Sequence, residues 1–149
     1  MYSWICTVGV LAVLIALAGG CAPSTGRFMV VDSAEAARQR LLHEHLRRTR
    51  TFARSHQLDR ALEEANAALE LAPDDPALVN ERGFILFQQG DHAGAFTDLN
   101  RAIELNPTLA TAYNNRGMVF YATEEYEPAM ADYNRAIENN PRYAAAYNN

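Results

Sequence analysis

The chain has 149 residues and a formal net charge of −5, from 13 basic and 18 acidic side chains. This length accommodates one modest domain together with a targeting segment. Arginine outnumbers acid by seven to three in residues 27–54, whereas acid outnumbers arginine by fifteen to six from residue 59 onward. Such polarity can orient a protein against a charged surface or partner, although a solvated basic helix is the more common explanation. Neither a cofactor nor a nucleic-acid partner is expected.

An uncharged segment rich in Val, Leu, Ile and Ala spans residues 4–20. As a helix it would extend about 25 Å at ~1.5 Å per residue, short of the ~30 Å hydrocarbon core of a bilayer. A run of this kind at the extreme N-terminus, ending in small residues, predicts the hydrophobic region of a signal peptide. One feature disagrees with a signal peptide: residues 1–5 contain no Lys or Arg, so the usual positively charged start is missing. The alternatives are an uncleaved anchor helix and a translation start placed too far downstream.

Residues 17–21 read LAGGC and resemble the lipobox of bacterial lipoproteins, although Ala18 stands where Leu is more common. The resemblance implies removal of a signal peptide, residues 1–20, and acylation of Cys21 by several chains such as palmitate. Several acyl chains give a stable anchor at about 0.8 kcal/mol per buried methylene, whereas one chain is marginal. The expected location is the bacterial cell envelope, facing the periplasm. Ala22 in place of Asp favours the outer membrane if the organism is Gram-negative.

The only other cysteine, Cys6, would leave with the signal peptide, so the mature protein could form no disulfide. Its stability would then come from a helical core. Residues 21–31 are interpreted as the lipidated cysteine and a tether, because Pro23 and Gly26 interrupt them and no periodicity is visible.

The first long helix is predicted to open at Asp32, with Glu35 as its capping-box partner, and to continue to about Arg54. Its six arginines could bind anionic lipid or an acidic partner. The alternative, which is favoured, is the weakened terminal repeat of an array, in which one face contacts water. His43 and His45 predict no metal site, because side chains at i and i+2 point to different sides of a helix.

Turn residues divide the rest of the chain into five more helices. Asp75 suits an N-cap and Pro76 the first helical position, and Gly90 followed by Asp91 supplies a C-cap and a new N-cap. Glu124 and Glu125 replace this Gly-Asp pair one repeat later. The predicted helices are 59–71, 76–89, 92–105, 109–123 and 126–139.

A fixed period of 34 residues relates these helices to one another. VNERG at residues 79–83 recurs as YNNRG at 113–117, and a further copy begins at residue 147. Small residues keep the same interval, so Gly83 against Ala95, and Gly117 against Ala129, are predicted as close-approach points. A period of this length predicts a stacked array of helical hairpins. The prolines in register are Pro73, Pro107 and Pro141.

The array resembles tetratricopeptide repeat (TPR) proteins, whose pattern is W-x2-L-G-x2-Y…A-x3-F…P. One departure recurs, because Arg82 and Arg116 occupy the position of the Leu. The resemblance implies an all-α fold, a right-handed superhelical array of antiparallel helix hairpins over residues 32–149. Its repeats would be about 42–75, 76–109 and 110–143, with a truncated fourth from 144. The third repeat supplies Tyr113, Gly117, Phe120, Ala129, Tyr133 and Pro141 to the pattern.

In that family the first helix of each hairpin lines a concave groove, which implies a peptide-binding role for this face. Amide side chains can donate to and accept from a peptide backbone, and aromatic rings offer stacking surface. The alternative is that the asparagines only satisfy neighbouring helix groups. A dicarboxylate clamp for chaperone tails is not expected, because the chain has no Lys. The groove residues carried over by position are Asn80, Phe84, Phe87, Gln88, Thr111, Asn114, Met118 and Tyr121.

No catalytic motif is present, with no GxSxG, P-loop or GxGxxG, and no enzyme activity is expected. The predicted function is a lipid-anchored protein-interaction scaffold that recruits envelope assembly or cell-wall machinery, as envelope TPR lipoproteins do. One alternative is a structural, self-associating subunit of a membrane complex. The other is a cytoplasmic array held at the inner membrane by an uncleaved N-terminal helix.

The C-terminal end of the array is expected to be uncovered, because a solenoid normally ends in a helix with a polar outer face. The residues that would be left partly exposed there are Tyr133, Ile137, Tyr143, Ala146 and Tyr147. The favoured explanation is a fragment of a longer array, and the alternative is a homodimer in which a second copy covers this end.

Overall fold

The computed structural model describes residues 33–148. The predicted signal peptide, the acylation site at Cys21, the tether and the cap at Asp32 lie outside the described residues. Within residues 33–148, no helix has the length and apolar character needed to cross a membrane.

Residues 33–148 contain seven α-helices and no β-strand, which confirms the all-α prediction. From α2 to α6 the helix bounds lie within one residue of those predicted. The helices are α1 (Ser33–Arg54), α2 (Leu58–Leu71), α3 (Pro76–Gln89), α4 (His92–Leu105), α5 (Ala110–Ala122), α6 (Tyr126–Asn139) and α7 (Ala144–Asn148). They pair as three hairpins, α1–α2, α3–α4 and α5–α6, and each following hairpin packs its first helix against the second helix of the one before.

The predicted caps are present at the second hairpin. The Asp75 side chain accepts hydrogen bonds from the backbone N–H groups of Ala77 and Leu78 at 2.8 and 3.4 Å. Asp91 accepts from the N–H of Gly94 at 2.9 Å. Each carboxylate satisfies a donor that has no partner within its own helix, which fixes where α3 and α4 begin.

One position in each hairpin turn has a left-handed backbone. Gly90 has φ 85°, and the residues 34 positions before and after it, His56 and Glu124, have φ values of 55° and 65°. A side chain in this region costs about 1–2 kcal/mol, whereas glycine adopts it freely. The hairpin geometry is therefore kept in the first and third repeats despite an unfavourable residue.

Alanines fill the interior of the hairpins and bring the helices close together. Those at the 34-residue interval are between 0% and 1% exposed, and the larger buried side chains include Ile85 and Leu99. These alanines are Ala61, Ala95 and Ala129, and Ala68, Ala102 and Ala136.

Two glycines sit where the helices of a hairpin approach most closely. A Cβ atom at Gly83 would lie 3.0 Å from Leu99 Cγ and 3.3 Å from the carbonyl oxygen of Ala95, which agrees with the predicted approach. At Gly117 the nearest atom is Tyr133 Cε1, at 2.7 Å. The aromatic ring of Tyr133 therefore lies nearest to this glycine, and the predicted approach of Gly117 to Ala129 stays a prediction.

Candidate functional site

The first helices of the three hairpins are linked side by side by two polar contacts. Arg50 Nε of α1 donates to Glu81 Oε1 of α3 at 3.2 Å. Asn115 Nδ2 of α5 donates to Asn80 Oδ1 of α3 at 3.0 Å. Side chains of α1, α3 and α5 that face away from their second helices therefore form one continuous area, called here the first-helix surface.

The asparagines predicted for the groove have different environments. Asn80 is half-buried and its oxygen accepts from Asn115, while no acceptor for its Nδ2 is found among residues 33–148. Asn114 is 2% exposed, and its amide nitrogen lies 3.6 Å from Met118 Sδ and 3.5 Å from Asn115 Oδ1. The residue of the next repeat whose side-chain amide bonds to Asn80 is thus Asn115, one residue beyond the predicted Asn114.

The aromatic candidates on α3 pack against each other and against the next helix. The rings of Phe84 and Phe87 are stacked with centroids 6.4 Å apart, and Phe87 also contacts His92 at 5.6 Å. Phe87 joins the apolar cluster around Ala95 and Leu99, so part of its surface stabilises the hairpin. Of the remaining candidates, Gln88 is exposed, and Thr111 and Met118 are half-buried.

Tyr121 is the candidate nearest the C-terminal end of α5. It is 58% exposed and meets Tyr126 edge-on, with ring centroids 5.4 Å apart. Both rings line a cleft of about 280 Å³ on α6, together with Met130 and Tyr147. The structure therefore places Tyr121 at the C-terminal cleft, and the assignment of all eight candidates, Tyr121 included, to a peptide groove stays a prediction.

Two arginines, Arg82 and Arg116, each link neighbouring hairpins through equivalent contacts. Arg82 of α3 donates two parallel hydrogen bonds to Asp98 of α4, from Nε to Oδ2 at 2.6 Å and from Nη2 to Oδ1 at 2.7 Å. Its Nη1 atom donates to Asn66 Oδ1 of α2 at 3.1 Å. One side chain therefore joins the second helices of two successive hairpins.

Arg116 of α5 repeats this arrangement one hairpin later, with Asp132 at 2.7 and 2.8 Å and Asn100 at 2.6 Å. Asp98 and Asp132 are 7% and 5% exposed, so each needs a charged partner, because an isolated buried charge is strongly unfavourable. The hydrogen bonds that each arginine donates to its aspartate raise the pKa of the arginine above the ordinary value, so Arg82 and Arg116 stay cationic.

The first hairpin has the arginine–acid contact without the asparagine. Arg48 of α1 donates to Glu64 Oε1 at 3.2 Å and to Glu44 Oε1 at 3.0 Å. Glu44 also accepts from Arg47, and these hydrogen bonds lower the pKa of Glu44 to about 2. His45 Nδ1 lies 2.6 Å from Glu64 Oε2, so this histidine contributes to the α1–α2 contact.

Family models identify the repeat that these helices form. Two models of the tetratricopeptide repeat match, one over residues 48–114 and one over residues 110–143. The chain contains tetratricopeptide repeats. None of the curated proteins matches the sequence with a significant score.

Solved structures with the same fold include TPR domains in complex with peptides. The first TPR of Spaghetti (RPAP3) bound to an HSP90 peptide, SRMEEVD, is 26% identical with a TM-score of 0.67, over 73% of this chain and 86% of that chain. The TPR2B domain of yeast Sti1 in its Hsp70 complex is 20% identical with a TM-score of 0.65, over 70% and 83%. The O-GlcNAc transferase of Thermobaculum terrenum is 24% identical with a TM-score of 0.70, over 74% of this chain and 21% of that chain. These similarities confirm the TPR solenoid fold.

The arginine contacts explain why this TPR array departs from the family's Leu. In each repeat an acidic residue follows the arginine by 16 positions, and a TPR position that usually packs an apolar side chain instead holds an ion pair. Sequence reasoning noted the arginines and missed their partners. The signal was present, because the acids and asparagines keep the same 34-residue register: Glu64, Asp98 and Asp132, and Asn66, Asn100 and Asn134.

Proposed function

We propose that the protein is a non-enzymatic interaction scaffold that binds a peptide segment of a partner protein on the first-helix surface of its TPR array. The observation that carries this proposal is the linkage of α1, α3 and α5 by Arg50–Glu81 and Asn80–Asn115 into one surface. Peptide complexes of similar TPR domains support it. The transferase comparison covers 21% of that enzyme's chain and does not carry its chemistry over.

The side-chain amides of this surface suit main-chain recognition. Asn80 Nδ2 can donate to a peptide carbonyl, since no acceptor for it is found among residues 33–148. Gln88 is exposed on the same helix and can both donate and accept. A peptide that extends across α3 and α5 would meet these groups first and the side chain of Met118 next.

The test compares partner recovery from envelope extracts by tagged full-length protein and by the variant Asn80→Ala/Gln88→Ala. The control variant is Glu104→Gln, which removes an exposed charge on α4, away from the surface. We expect quantitative mass spectrometry to show a partner that the double variant loses and the control retains. Equal recovery by both variants, with unchanged circular dichroism, would contradict the proposal.

We further propose that a lipid on Cys21 holds this scaffold at the bacterial envelope, facing the periplasm and at the outer membrane if the organism is Gram-negative. The LAGGC sequence at residues 17–21 supports it. The intact mass of membrane-extracted protein should lack residues 1–20 and carry acyl chains, and Cys21→Ala should remove them. An unmodified full-length mass in both proteins would instead support an uncleaved N-terminal helix.

A second candidate function is self-association as a structural subunit. Among the described residues, large apolar side chains with at least half their surface exposed gather at the C-terminal cleft. These side chains are Tyr121, Tyr126, Met130 and Tyr147. Sedimentation velocity of the full chain tests this candidate: Met130→Glu should convert a dimer into a monomer, and a monomeric parent protein would exclude it.

A further inference from the structure

Five basic side chains follow one another along α1 at alternating spacings of three and four residues. Such spacing keeps side chains on one side of a helix with 3.6 residues per turn, and all five are exposed. The resulting row, called here the basic stripe, is about 21 Å long at ~1.5 Å per residue. Its members are Arg40, His43, Arg47, Arg50 and Arg54.

The basic stripe is the first-repeat portion of the first-helix surface. Arg50 and Arg54 lie 34 residues before Phe84 and Gln88, the predicted groove residues of the second repeat. Arg50 also donates to Glu81 of α3 at 3.2 Å, so the stripe adjoins α3 directly. A ligand bound on α3 can therefore extend directly onto the stripe.

The charges of the stripe exceed those of the acids around it. Arg47 pairs with Glu44 on its own helix and Arg50 with Glu81. Arg40 and Arg54 form no ion pair with an acidic side chain within residues 33–148. Exposed ion pairs contribute little to stability, so Arg47 and Arg50 can exchange their partners for the carboxylates of a ligand.

A shallow groove gives the stripe a shape as well as a charge. It has a volume of about 300 Å³, and the apolar side chain of Leu46 lines it together with the cations. Guanidinium groups beside an apolar side chain can bind carboxylates in two-point geometry while the ligand backbone covers the apolar surface. The lining residues of this groove are His43, Leu46, Arg47, Arg50, Thr51 and Arg54.

We propose that the basic stripe binds an acidic segment of the partner protein, with carboxylates spread over about 20 Å. This inference rests on the proposed function, because the rest of the partner peptide lies on α3 and α5. Charge complementarity favours it: the remainder of the chain is strongly acidic, so that the stripe is where an acidic segment meets attraction instead of repulsion.

The test uses full-length protein in detergent and a fluorescein-labelled peptide that alternates Glu and Ala, read by fluorescence anisotropy. The variant Arg40→Gln/Arg54→Gln removes the two arginines of the stripe that form no ion pair within residues 33–148. The matched control, Arg135→Gln/Arg142→Gln, removes two exposed arginines elsewhere. We expect the stripe variant to weaken binding about tenfold, added salt to weaken it further, and the control to bind like the parent protein.

Three results of the peptide assay would overturn the inference. They are absence of binding to the Glu peptide, equal weakening by both variants, and equal affinity for a peptide with Gln in place of Glu. Binding to vesicles with anionic phospholipid but not to the peptide would also overturn it, in favour of a membrane-contacting helix. Partner recovery separates this inference from the proposed function: if only Asn80→Ala/Gln88→Ala loses the partner, the acidic segment is contradicted and the scaffold is not.

Discussion

Arg116 and Asp132 form a two-point ion pair inside the third hairpin, with nitrogen–oxygen distances of 2.7 and 2.8 Å. Their side chains are 21% and 7% exposed, so the pair is largely removed from water. Because Arg116 also donates to Asn100 of the preceding hairpin at 2.6 Å, the same side chain aligns successive hairpins. We expect the proposed binding surface to depend on this contact, since that surface consists of helices from different hairpins.

Arg116→Leu should lower the free energy of unfolding by about 2–4 kcal/mol, because it leaves the buried carboxylate of Asp132 without its cation. Arg116→Leu/Asp132→Leu should lose less, because no unpaired charge remains. Urea unfolding measures both. The control is Arg101→Leu, whose pair with Asp74 is exposed and should contribute below about 1 kcal/mol. Equal loss in Arg116→Leu and Arg101→Leu would contradict the importance of the buried pair.

Glu124→Gly should raise the free energy of unfolding by about 1 kcal/mol, because φ of Glu124 is 65° and glycine adopts this region without a side-chain clash. Glu124→Ala controls for loss of the charge and should change stability little, since its backbone keeps the same strain. Thermal unfolding compares the two variants. If Glu124→Gly instead melts at a lower temperature than the parent protein, the left-handed backbone at residue 124 is not a source of strain.

The hairpin pattern could be predicted from the sequence because its causes are local or periodic. The N-cap carboxylates of Asp75 and Asp91 and the left-handed backbone of Gly90 act within a few residues, so that their chemistry is visible in the sequence itself. The 34-residue register then extends the boundaries of one repeat to the others.

Side-chain partners between helices were predicted less well, because a period does not determine how two helices are rotated against each other. A shift of one residue turns a helical side chain by about 100°, which separates Asn114, 2% exposed, from Asn115, which reaches Asn80. Likewise, the register placed Ala129 opposite Gly117 but did not indicate that the ring of Tyr133 lies nearest to this glycine. The contact of Tyr121 with Tyr126 repeats that of Phe87 with His92 34 residues earlier, so the register could predict the contact but not the cleft that the two tyrosines line.

Gly117→Ala should lower the free energy of unfolding by about 1–3 kcal/mol, because its new methyl group would lie 2.7 Å from the ring of Tyr133. Tyr133 is 8% exposed, so the ring has little room to move. A double-mutant cycle with Tyr133→Leu should show a smaller cost for the same glycine substitution. Additive losses from the two changes would mean that the ring and the glycine do not restrict each other.

Stability should also fall in alkali, because burial raises the pKa of both Tyr133 and Tyr143 above the ordinary tyrosine value. A raised folded-state pKa means that folding favours the neutral phenol. Its contribution is therefore complete below the unfolded-state pKa of about 10 and is lost as the pH rises through the higher folded-state value.

Urea unfolding at a series of pH values above about 10 should give a decreasing free energy of unfolding, and Tyr133→Phe/Tyr143→Phe should flatten that decrease. Below about pH 9 the same variant should differ from the parent protein by a constant amount, because neither phenol ionises there. If the parent and the variant lose stability in parallel above that pH, the two buried phenols are not the groups whose ionisation opposes folding.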